Sequence, residues 1–256
     1  MQPMLRDIAA GLGEVSMNVT SSQHYDAYTA WKGWGSAQFF QCSDYEHHYF
    51  RKEFANYDFT NKNVLEIGFG NGEFLAYARS RGARLWGTEV ISELCTLASQ
   101  HDVRVVALDL SDVPPEAVGQ FDLIVAFDVF EHIDFDDLMV LLKRCATLLA
   151  PGGQLVARFP NGQSPFGRFY QHGDHTHRAW LSASIFEHLC TVLNYEFAGA
   201  SRPSSPLFGP LPKNAGRRLK LATQMAVELF IAKTYAVRVP LSPNVVVRLT
   251  RRARRG

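Results

Sequence analysis

Short apolar runs alternate with segments of helical period between residues 63 and 200. Unbroken apolar runs of this length are typical of strands buried on both faces of a parallel sheet. We predict strands at residues 63–68, 84–88, 103–108, 121–127, 154–159, 195–200 and 245–249. We predict helices between them at residues 72–81, 92–100, 135–149 and 182–193. Strict alternation of strand and helix implies a parallel sheet with right-handed crossovers.

The segments on either side of this alternating region are patterned differently. Residues 25–59 contain 12 aromatic residues, and residues 44–56 have a helical period. The rings that this period places on one side are Tyr45, Tyr49, Phe50 and Phe54. We interpret the segment as a helical cap over the carboxyl edge of the sheet, in which most rings belong to the core. The predicted organisation is a cap at 1–60, a core at 61–201, a basic helical insertion at 202–243 with its helix at 217–236, and a last strand with a basic tail at 244–256.

The exit of the first strand is rich in glycine. Residues 63–72 read NVLEIGFGNG, with Gly68, Gly70 and Gly72 directly after the apolar run. Glycine lets a chain turn tightly against a ligand, and a helix that starts near Gly72 would point its free N–H groups at that ligand. A dinucleotide fingerprint would need its third glycine at position 73, where this chain has Glu73. Because Glu73 would repel a pyrophosphate, the turn suits a nucleotide-type ligand with a cationic end and no phosphate.

Acidic residues lie within or at the end of each of the first three strands. Glu66 lies inside the first strand, Glu89 follows the second and Asp109 follows the third. A carboxylate at the end of the second strand is placed to accept both hydroxyls of a ribose. A carboxylate at the end of the third can accept from an adenine amino group.

Five segments in this order resemble the class I S-adenosylmethionine-dependent methyltransferases over residues 60–200: VLEIGFGNG, TEV, ALDLSD, FDLIVAFDVFEHI and LLAPGGQLVARFPN. The resemblance implies an α/β, Rossmann-like fold with a mostly parallel seven-stranded sheet, helices on both faces, an N-terminal helical cap and a helical insertion before an antiparallel last strand. It implies S-adenosylmethionine as the cofactor. The alternative is a Rossmann-like domain with a degenerate or different nucleotide site.

Carried over by position, the resemblance implies a set of cofactor-binding residues. The methionine moiety would be held by Glu66, Gly68, Phe69, Gly70, Asn71 and Gly72. The ribose would be held at Glu89 and Val90, and the adenine at Asp109 and Leu110. Phe127 and Asp128 would lie beside the sulfonium.

The resemblance also implies that the methyl acceptor binds near the ends of the fourth and fifth strands. An alcohol acceptor needs a base near its oxygen, and histidine suits that task because its pKa lies near operating pH. We predict His177 as the base and His132 as the second candidate, with Asp174 in the same catalytic cluster. For His132 the alternative is a neutral, hydrogen-bonded residue near the cofactor. Further candidates for acceptor contact, mostly on a predicted loop, are Asn161, Arg158, Arg168, His172 and His175, and rings that could line the pocket are Tyr25, Tyr28 and Trp34.

We predict methyl transfer without a metal ion. The alternative is an enzyme that uses a divalent metal. The motif from Asp128 to His132, with Glu131 between them, resembles the Glu-x-x-Glu-His motif of ubiquinone-pathway O-methyltransferases that use a divalent ion. Asp128 replaces the first glutamate of that motif, which shortens its reach. On this alternative the ligands would be Asp128, Glu131 and His132.

Residues 159–177, together with the turn at 242–244, look like bacterial methyltransferases associated with surface-polysaccharide and O-antigen gene sets. The resemblance implies O-methylation of a sugar hydroxyl, or of a terminal sugar phosphate held by Arg158 and Arg168, on a glycan or lipid-linked glycan. The alternatives are O- or N-methylation of another small molecule, methylation of nucleic acid, and a tethering protein without activity. We do not favour nucleic acid, because no Asn/Asp-Pro-Pro-Tyr/Phe motif follows the fourth strand.

The net charge of +1 conceals a strongly basic end. Residues 202–256 hold 12 of the 26 Lys and Arg residues and one of the 25 acidic residues. Apolar residues recur at helical spacing among these charges, so the segment could lie on an anionic membrane surface, or could pack on the domain with a solvated basic edge. Four scattered cysteines, with no signal-peptide or transmembrane pattern, predict a cytoplasmic protein, with peripheral contact to the inner face of the membrane as the alternative. The pattern does not predict an oligomeric state.

Overall fold

The computed structural model describes residues 38–205, 211–236 and 240–253. Its strands are β1 (Asn63–Ile67), β2 (Arg84–Thr88), β3 (Arg104–Val105), β4 (Phe121–Phe127), β5 (Leu149–Pro160), β6 (Tyr195–Ser201) and β7 (Asn244–Arg251). Its helices are α1 (Asp44–Glu53), α2 (Glu73–Ser80), α3 (Ser92–Gln100), α4 (Phe135–Leu148), α5 (Gly167–Gly173), α6 (Ala183–Val192) and α7 (Leu211–Tyr235). Short 3₁₀ turns lie at Pro115–Ala117 and Phe130–His132.

The strands form one sheet in the order β3-β2-β1-β4-β5-β7-β6. Strands β1 to β5 pair in parallel, and β7 runs antiparallel to both β5 and β6. The predicted Rossmann-like α/β class, the antiparallel last strand and the helical insertion before it are confirmed. The chain leaves β1 toward β2 on one side and later continues at β4 on the other. The carboxyl ends of β1 and β4 therefore form the switch point at which open α/β sheets bind ligands.

The third strand is shorter than predicted. Only Arg104–Val105 pairs with β2, on the edge of the sheet, although the N–H of Val106 still donates to the Gly87 carbonyl at 3.0 Å. The N–H of Ala107 donates instead to Oδ1 of Asp112 at 2.7 Å, which turns the chain away from the ladder. A side chain five residues along the chain has thus replaced a strand partner.

Helix α5 lies in a segment that we predicted as a loop. A turn precedes this helix, in which Oγ of Ser164 accepts from the N–H of Phe166 at 3.1 Å. A Cβ on Gly167 would lie 2.0 Å from the Asn161 carbonyl oxygen, so this close packing requires glycine. The sequence did not indicate this helix, because its apolar residues do not recur at the spacing of a buried helical face. Phe169 and Tyr170 are exposed in the structure.

Helix α1 packs its aromatic residues over the carboxyl end of β4. A capping box between Ser43 and Glu46 starts the helix. The Phe50 ring lies 5.8 Å from the ring of Phe127, the last residue of β4. Aromatic pairs of this kind add about 0.5–1.5 kcal/mol beyond area burial. Tyr45, which the helical period places on the same side, is 52% exposed and does not belong to the core.

An ion pair joins α1 to β7. The Glu53 side chain is 1% exposed and pairs with the Arg248 guanidinium, and its Oε2 accepts from the N–H of Ser204 at 2.9 Å. Replacing Arg248 with alanine leaves this carboxylate buried without its cation. We therefore expect the free energy of unfolding to fall by about 3–5 kcal/mol, measured by chemical denaturation.

The control for this prediction is a surface pair. Arg178 and Asp134 lie 2.8 Å apart with side chains that are 62% and 58% exposed. Arg178→Ala should lower the free energy of unfolding by less than about 1 kcal/mol. Equal losses in the two variants would contradict a buried role for the Glu53–Arg248 pair.

Helix α7 begins at Leu211, earlier than predicted, and ends at Tyr235. In the described part of the chain, no helix is both long enough and apolar enough to cross a membrane. All four cysteines fall within the described residues and are free thiols. The cytoplasmic location stays a prediction.

Candidate functional site

The glycine turn after β1 lies at the switch point of the sheet. Positive φ angles of 65°, 52° and 77° occur at Gly68, Gly70 and Gly72. A Cβ on Gly68 would lie 2.7 Å from Cγ2 of Val129, which follows β4. The N–H of Gly68 donates to the Thr88 carbonyl at 2.8 Å, which ties the turn to the end of β2. Helix α2 begins directly after the turn, so the N–H groups of its first turn add positive potential at this edge.

Three carboxylates surround this turn. Glu66 is buried, and its Oε2 has no hydrogen-bond partner among the described residues. Burial raises the pKa of Glu66 well above its ordinary value, and the charges of Glu73 and Glu89 raise it further. Burial also raises the pKa values of Glu73 and Glu89. A cationic group is the ligand that would relieve this repulsion.

Glu89 also holds the turn in shape. Its Oε2 accepts from the N–H of Gly70 at 2.8 Å, and its Oε1 accepts from the N–H of Val90 at 2.7 Å. The Val90 side chain is 46% exposed. The carboxylate predicted to bind a ribose therefore lies beside the glycine turn, as the predicted site requires.

Residues 38–40 cover one side of the turn. The N–H of Phe40 donates to the Asn71 carbonyl at 2.9 Å, and Nδ2 of Asn71 donates to the Gln38 carbonyl at 3.0 Å. The Phe39 ring packs edge-to-face on Phe69 with centroids 6.4 Å apart. The side chains of Asn71 and Phe69 therefore hold this segment against the turn, a role that the sequence did not indicate.

The residues predicted to bind adenine follow β3. Asp109 is exposed, and its Oδ1 accepts from the N–H of Ser111 at 3.0 Å. Hydrogen bonds from Ser111 hold the pKa of Asp109 below its ordinary value. Leu110 is buried, with a φ of 60°. Both residues lie at the ligand edge of the sheet, and their contact with adenine stays a prediction.

Asp128 and Arg158 form an ion pair at the ends of β4 and β5. Arg158 donates from Nε to Oδ1 of Asp128 at 2.9 Å and from Nη2 to Oδ2 at 2.5 Å. The guanidinium carbon lies 5.3 Å from the ring centroids of both Tyr49 and Phe127. Although burial opposes its charge, Asp128 holds the pKa of Arg158 above its ordinary value, and burial raises the pKa of Tyr49 to about 12. Arg158 is thus committed to Asp128, contrary to the prediction that it is available to an acceptor phosphate.

Two predicted catalytic histidines meet on the acceptor side of the site. The rings of His132 and His177 lie 4.7 Å apart between centroids. The backbone carbonyl of Glu131 accepts from the N–H groups of Arg178 and Ala179 at 2.7 and 3.1 Å, which holds the His177 segment against the turn after β4. One ligand atom from each of Glu131, His132 and His177 lies within 4.8 Å of the others.

Asp174 contacts this cluster indirectly. Its Oδ1 accepts from Oγ1 of Thr176 at 2.5 Å, and the same Oγ1 lies 2.8 Å from Nδ1 of His132. Partial burial raises the pKa of Asp174, but the hydrogen bonds from Thr176 outweigh this effect and hold the pKa below its ordinary value. Asp174 therefore supports His132 through Thr176, which the sequence did not single out.

The remaining predicted acceptor residues divide into two groups. Asn161 is buried, donates from Nδ2 to the carbonyls of Pro240 and Ser242 at 2.7 and 3.2 Å, and accepts at Oδ1 from Gln163. Its amide therefore fastens the chain before β7 instead of offering a group to an acceptor. The exposed side chains, which lie on or after α5 and outside the Glu131 cluster, are Arg168, His172 and His175. Tyr25, Tyr28 and Trp34 lie outside the described residues.

A cavity of about 600 Å³ opens at the opposite, amino-terminal edge of the sheet. Its lining includes Asn63, Arg84 and Arg104. None of the predicted site residues that the structure describes lies there. The site is therefore identified by its convergent polar groups at the carboxyl edge, and not by cavity size.

Comparison with known proteins agrees with the methyltransferase resemblance of the sequence. Residues 44–198 match the family model described as a methyltransferase domain. A ubiquinone biosynthesis O-methyltransferase from Chromobacterium violaceum is 25% identical over 204 residues, which cover 75% of this chain and 79% of that protein. A protein of the same name from Xanthomonas campestris pv. campestris is 33% identical over 101 residues, which cover 36% of this chain and 40% of that protein.

Solved structures share the fold at low sequence identity. An S-adenosylmethionine-dependent methyltransferase from Archaeoglobus fulgidus superposes with a TM-score of 0.54 at 17% identity, covering 80% of this chain and 92% of that one. Magnesium protoporphyrin IX methyltransferase from Synechocystis PCC 6803, with bound SAH, gives a TM-score of 0.55 at 12% identity, covering 90% and 95%.

Proposed function

The chain belongs to the class I S-adenosylmethionine-dependent methyltransferases, and from this premise we infer that it methylates a hydroxyl group of a small-molecule acceptor. Its enzyme class and its cofactor, S-adenosylmethionine, follow from the family. The observation that carries the choice of an oxygen acceptor is the pair of histidines, 4.7 Å apart, beside the end of β4. An acceptor hydroxyl must lose its proton as it takes the methyl group, and a histidine near that oxygen can receive it.

The arrangement around the glycine turn supports a ligand with positive charge. Carboxylates from β1, from the start of α2 and from the end of β2 meet there, and burial raises the pKa of each. The ammonium and sulfonium groups of S-adenosylmethionine supply positive charge without a phosphate. Methyl transfer is an in-line displacement at the sulfonium, so the enzyme contributes mainly by aligning the acceptor oxygen with the methyl carbon.

The acceptor class rests on two lines of support that differ. The similar proteins from Chromobacterium violaceum and Xanthomonas campestris are named as O-methyltransferases of ubiquinone biosynthesis. This agrees with an oxygen acceptor and lends no support to the surface-glycan resemblance of residues 159–177. A cyclic or aromatic acceptor hydroxyl is therefore the better proposal, and a sugar hydroxyl is the second candidate to test.

A methyl-transfer screen tests the proposal. The purified chain is incubated with methyl-labelled S-adenosylmethionine and, separately, with catechols and phenols, with free and lipid-linked glycans, and with RNA. We expect labelled methyl ether in the first pool and none in the RNA pool. Transfer to RNA alone, or to nitrogen alone, would contradict an acceptor hydroxyl. Glu66→Gln is the matched negative control, because it removes one cofactor carboxylate while keeping its shape.

Cofactor binding should depend on pH. The raised pKa values at the glycine turn mean that these carboxyls hold protons above 4.5, the ordinary value for glutamate. A cationic ligand favours their ionised forms, so binding releases protons. As pH falls through the raised pKa values of these carboxyls, affinity for S-adenosylmethionine should fall by up to about tenfold per unit for each proton released. Calorimetry in two buffers of different ionisation enthalpy measures both quantities.

The variant Glu66→Gln separates the contribution of this one carboxyl. It should bind S-adenosylmethionine more weakly at pH 8 and release fewer protons than the native chain. A native dissociation constant that is independent of pH would show that the carboxyls are already ionised, and would overturn this assignment.

A further inference from the structure

Glu131, His132 and His177 form a compact group of ligand atoms on the acceptor side of the site, each within 4.8 Å of the others. We propose that these three residues bind one divalent transition-metal ion. His177 takes the place that the sequence-based alternative gave to Asp128. The inference deepens the proposed function, on which it rests for the role of the ion.

Hydrogen bonds at Nδ1 fix the tautomer of both rings. Nδ1 of His177 lies 3.1 Å from the Gln171 carbonyl oxygen, which can only accept, so this nitrogen carries the proton. The Thr176 hydroxyl gives its single proton to the Asp174 carboxylate, so Nδ1 of His132 must donate to Thr176. Each neutral ring therefore has its lone pair on Nε2, the form that a metal ion binds.

The supports of these rings are themselves fixed. Gln171 is buried, and its Nε2 donates to the Ala179 carbonyl at 3.2 Å. Asp174 also accepts from the N–H of Thr176 at 2.9 Å. Metal-binding histidines usually donate their second nitrogen to a carbonyl or a carboxylate system of this kind. The Gln171 carbonyl therefore holds the His177 ring in place, and the Thr176 hydroxyl with the Asp174 carboxylate holds the His132 ring. Both rings are preorganised to bind a metal ion.

Asp128 is not suited to complete the site, because both of its carboxylate oxygens accept from the Arg158 guanidinium. The remaining set of two imidazoles and one carboxylate favours zinc, manganese, iron or cobalt over magnesium, which prefers oxygen ligands. A divalent ion bound there would lower the pKa of an acceptor hydroxyl that binds to it, so the hydroxyl would lose its proton to solvent. In that form both histidines would be ligands of the ion, and neither would act as the base.

Direct titration of the tag-free full chain with Co²⁺ and Zn²⁺ tests this proposal, by visible absorption and calorimetry. Neither cofactor nor acceptor is added, so the result does not depend on whether the proposed methyl transfer occurs. We expect one equivalent of either ion to bind. His177→Ala should weaken binding by about 100-fold or more, and Asp128→Asn should leave it within about threefold.

A second pair of variants tests the supports. Thr176→Val removes the hydroxyl that fixes the His132 ring and should weaken Co²⁺ binding by about 10–100-fold, whereas Thr176→Ser keeps the hydroxyl and should restore it. Stoichiometric binding that survives His177→Ala, or no binding by the native chain, would overturn the proposal. Loss of the ion in Asp128→Asn with retention in His177→Ala would return the site to the sequence-based set.

A second inference concerns the outward side of helix α7, which exposes several large apolar residues. It contacts the domain through a narrow stripe of partly buried residues: Leu221, Glu228, Ile231 and Ala232. The exposed large apolar side chains are Leu219, Met225, Val227, Leu229, Phe230 and Tyr235. A helix that exposes this many large apolar side chains marks an interaction site.

The charges on α7 indicate what this surface binds. Glu228 is the one acidic residue in residues 202–256, and it is committed to the Arg202 side chain and to the N–H of Leu241, which donates to Oε1 at 3.0 Å. The other charged side chains described on the helix are basic and exposed: Arg217, Arg218, Lys220 and Lys233. From this combination we infer that α7 docks on an anionic lipid surface. A second copy of the chain would bring two basic helices together, and their repulsion disfavours that occupant.

Flotation with lipid vesicles tests this inference. The full chain should float with vesicles of phosphatidylglycerol and phosphatidylcholine, and should not float with phosphatidylcholine alone. The double variants Leu219→Ser/Phe230→Ser and Arg218→Glu/Lys220→Glu should each reduce the bound fraction at least about tenfold. Phe169→Ser is the matched control, because it removes a phenylalanine of α5 that is even more exposed than Phe230, and this variant should bind normally.

Three outcomes would overturn the membrane assignment. The native chain could fail to float with anionic vesicles. The double variants could float as well as the native chain. Sedimentation could instead reveal a dimer that Leu219→Ser/Phe230→Ser abolishes, which would assign the surface to a second copy.

Discussion

Replacing Gly68 with alanine is expected to weaken binding of S-adenosylhomocysteine by about 100-fold or more, the equivalent of about 3 kcal/mol. Two costs combine in this variant. The residue has a φ of 65°, which alanine adopts only with strain, and the new Cβ would lie 2.7 Å from Val129. Because the glycine turn and the segment after β4 both border the cofactor site, relief of the collision must move one of them. Calorimetry with S-adenosylhomocysteine measures the loss.

The matched control is Gly152→Ala. Gly152 has a φ of 77°, and an added Cβ there would meet no heavy atom within 4 Å. The variant therefore carries the same kind of backbone strain without the collision and away from the site. It should lower stability by about 1 kcal/mol and leave S-adenosylhomocysteine affinity unchanged. A similar loss of affinity in both variants, or none in Gly68→Ala, would refute the geometric argument.

The sequence predicts those elements of this fold whose buried residues form an unbroken or periodic apolar pattern along the chain. The bounds of β2, α3 and β4 match the predicted residues 84–88, 92–100 and 121–127. The chain departs from the prediction where one distant or polar contact decides the outcome. Asp112 ends β3 because its carboxylate accepts from the N–H of Ala107, and Gly167 allows α5 to pack on the Asn161 carbonyl. Neither contact leaves a periodic signal.

The same distinction applies to the candidate site. The glycine turn and the carboxylates of the first three strands could be located from sequence, because they follow apolar runs directly and parallel strands share one edge. Pairings between distant segments could not be located in this way. The Asp128–Arg158 pair and the contact between Thr176 and His132 span 30 and 44 residues. Asn161 has the residue type and position of an acceptor ligand, yet its amide is satisfied by the turn before β7.

Replacing His177 with alanine should lower kcat for methyl transfer by about 10²–10⁴-fold. The reason is its position beside His132 and Glu131 and away from the glycine turn. The ring either accepts the proton itself or helps to hold a metal ion that stabilises the deprotonated acceptor. In both cases its removal should slow the chemical step. The affinity for S-adenosylhomocysteine should stay within about twofold, because the carboxylates that surround the glycine turn are untouched.

The control for this prediction is His188→Ala, which removes an exposed histidine from α6, outside the Glu131 cluster. It should leave both kcat and cofactor affinity unchanged. Normal turnover by His177→Ala would remove this residue from the chemistry and leave His132 as the remaining candidate base. If His177→Ala instead weakened cofactor binding as strongly as turnover, the histidine would be supporting the pocket as a whole, because a group that acts only on the acceptor cannot alter the ground-state binding of S-adenosylhomocysteine.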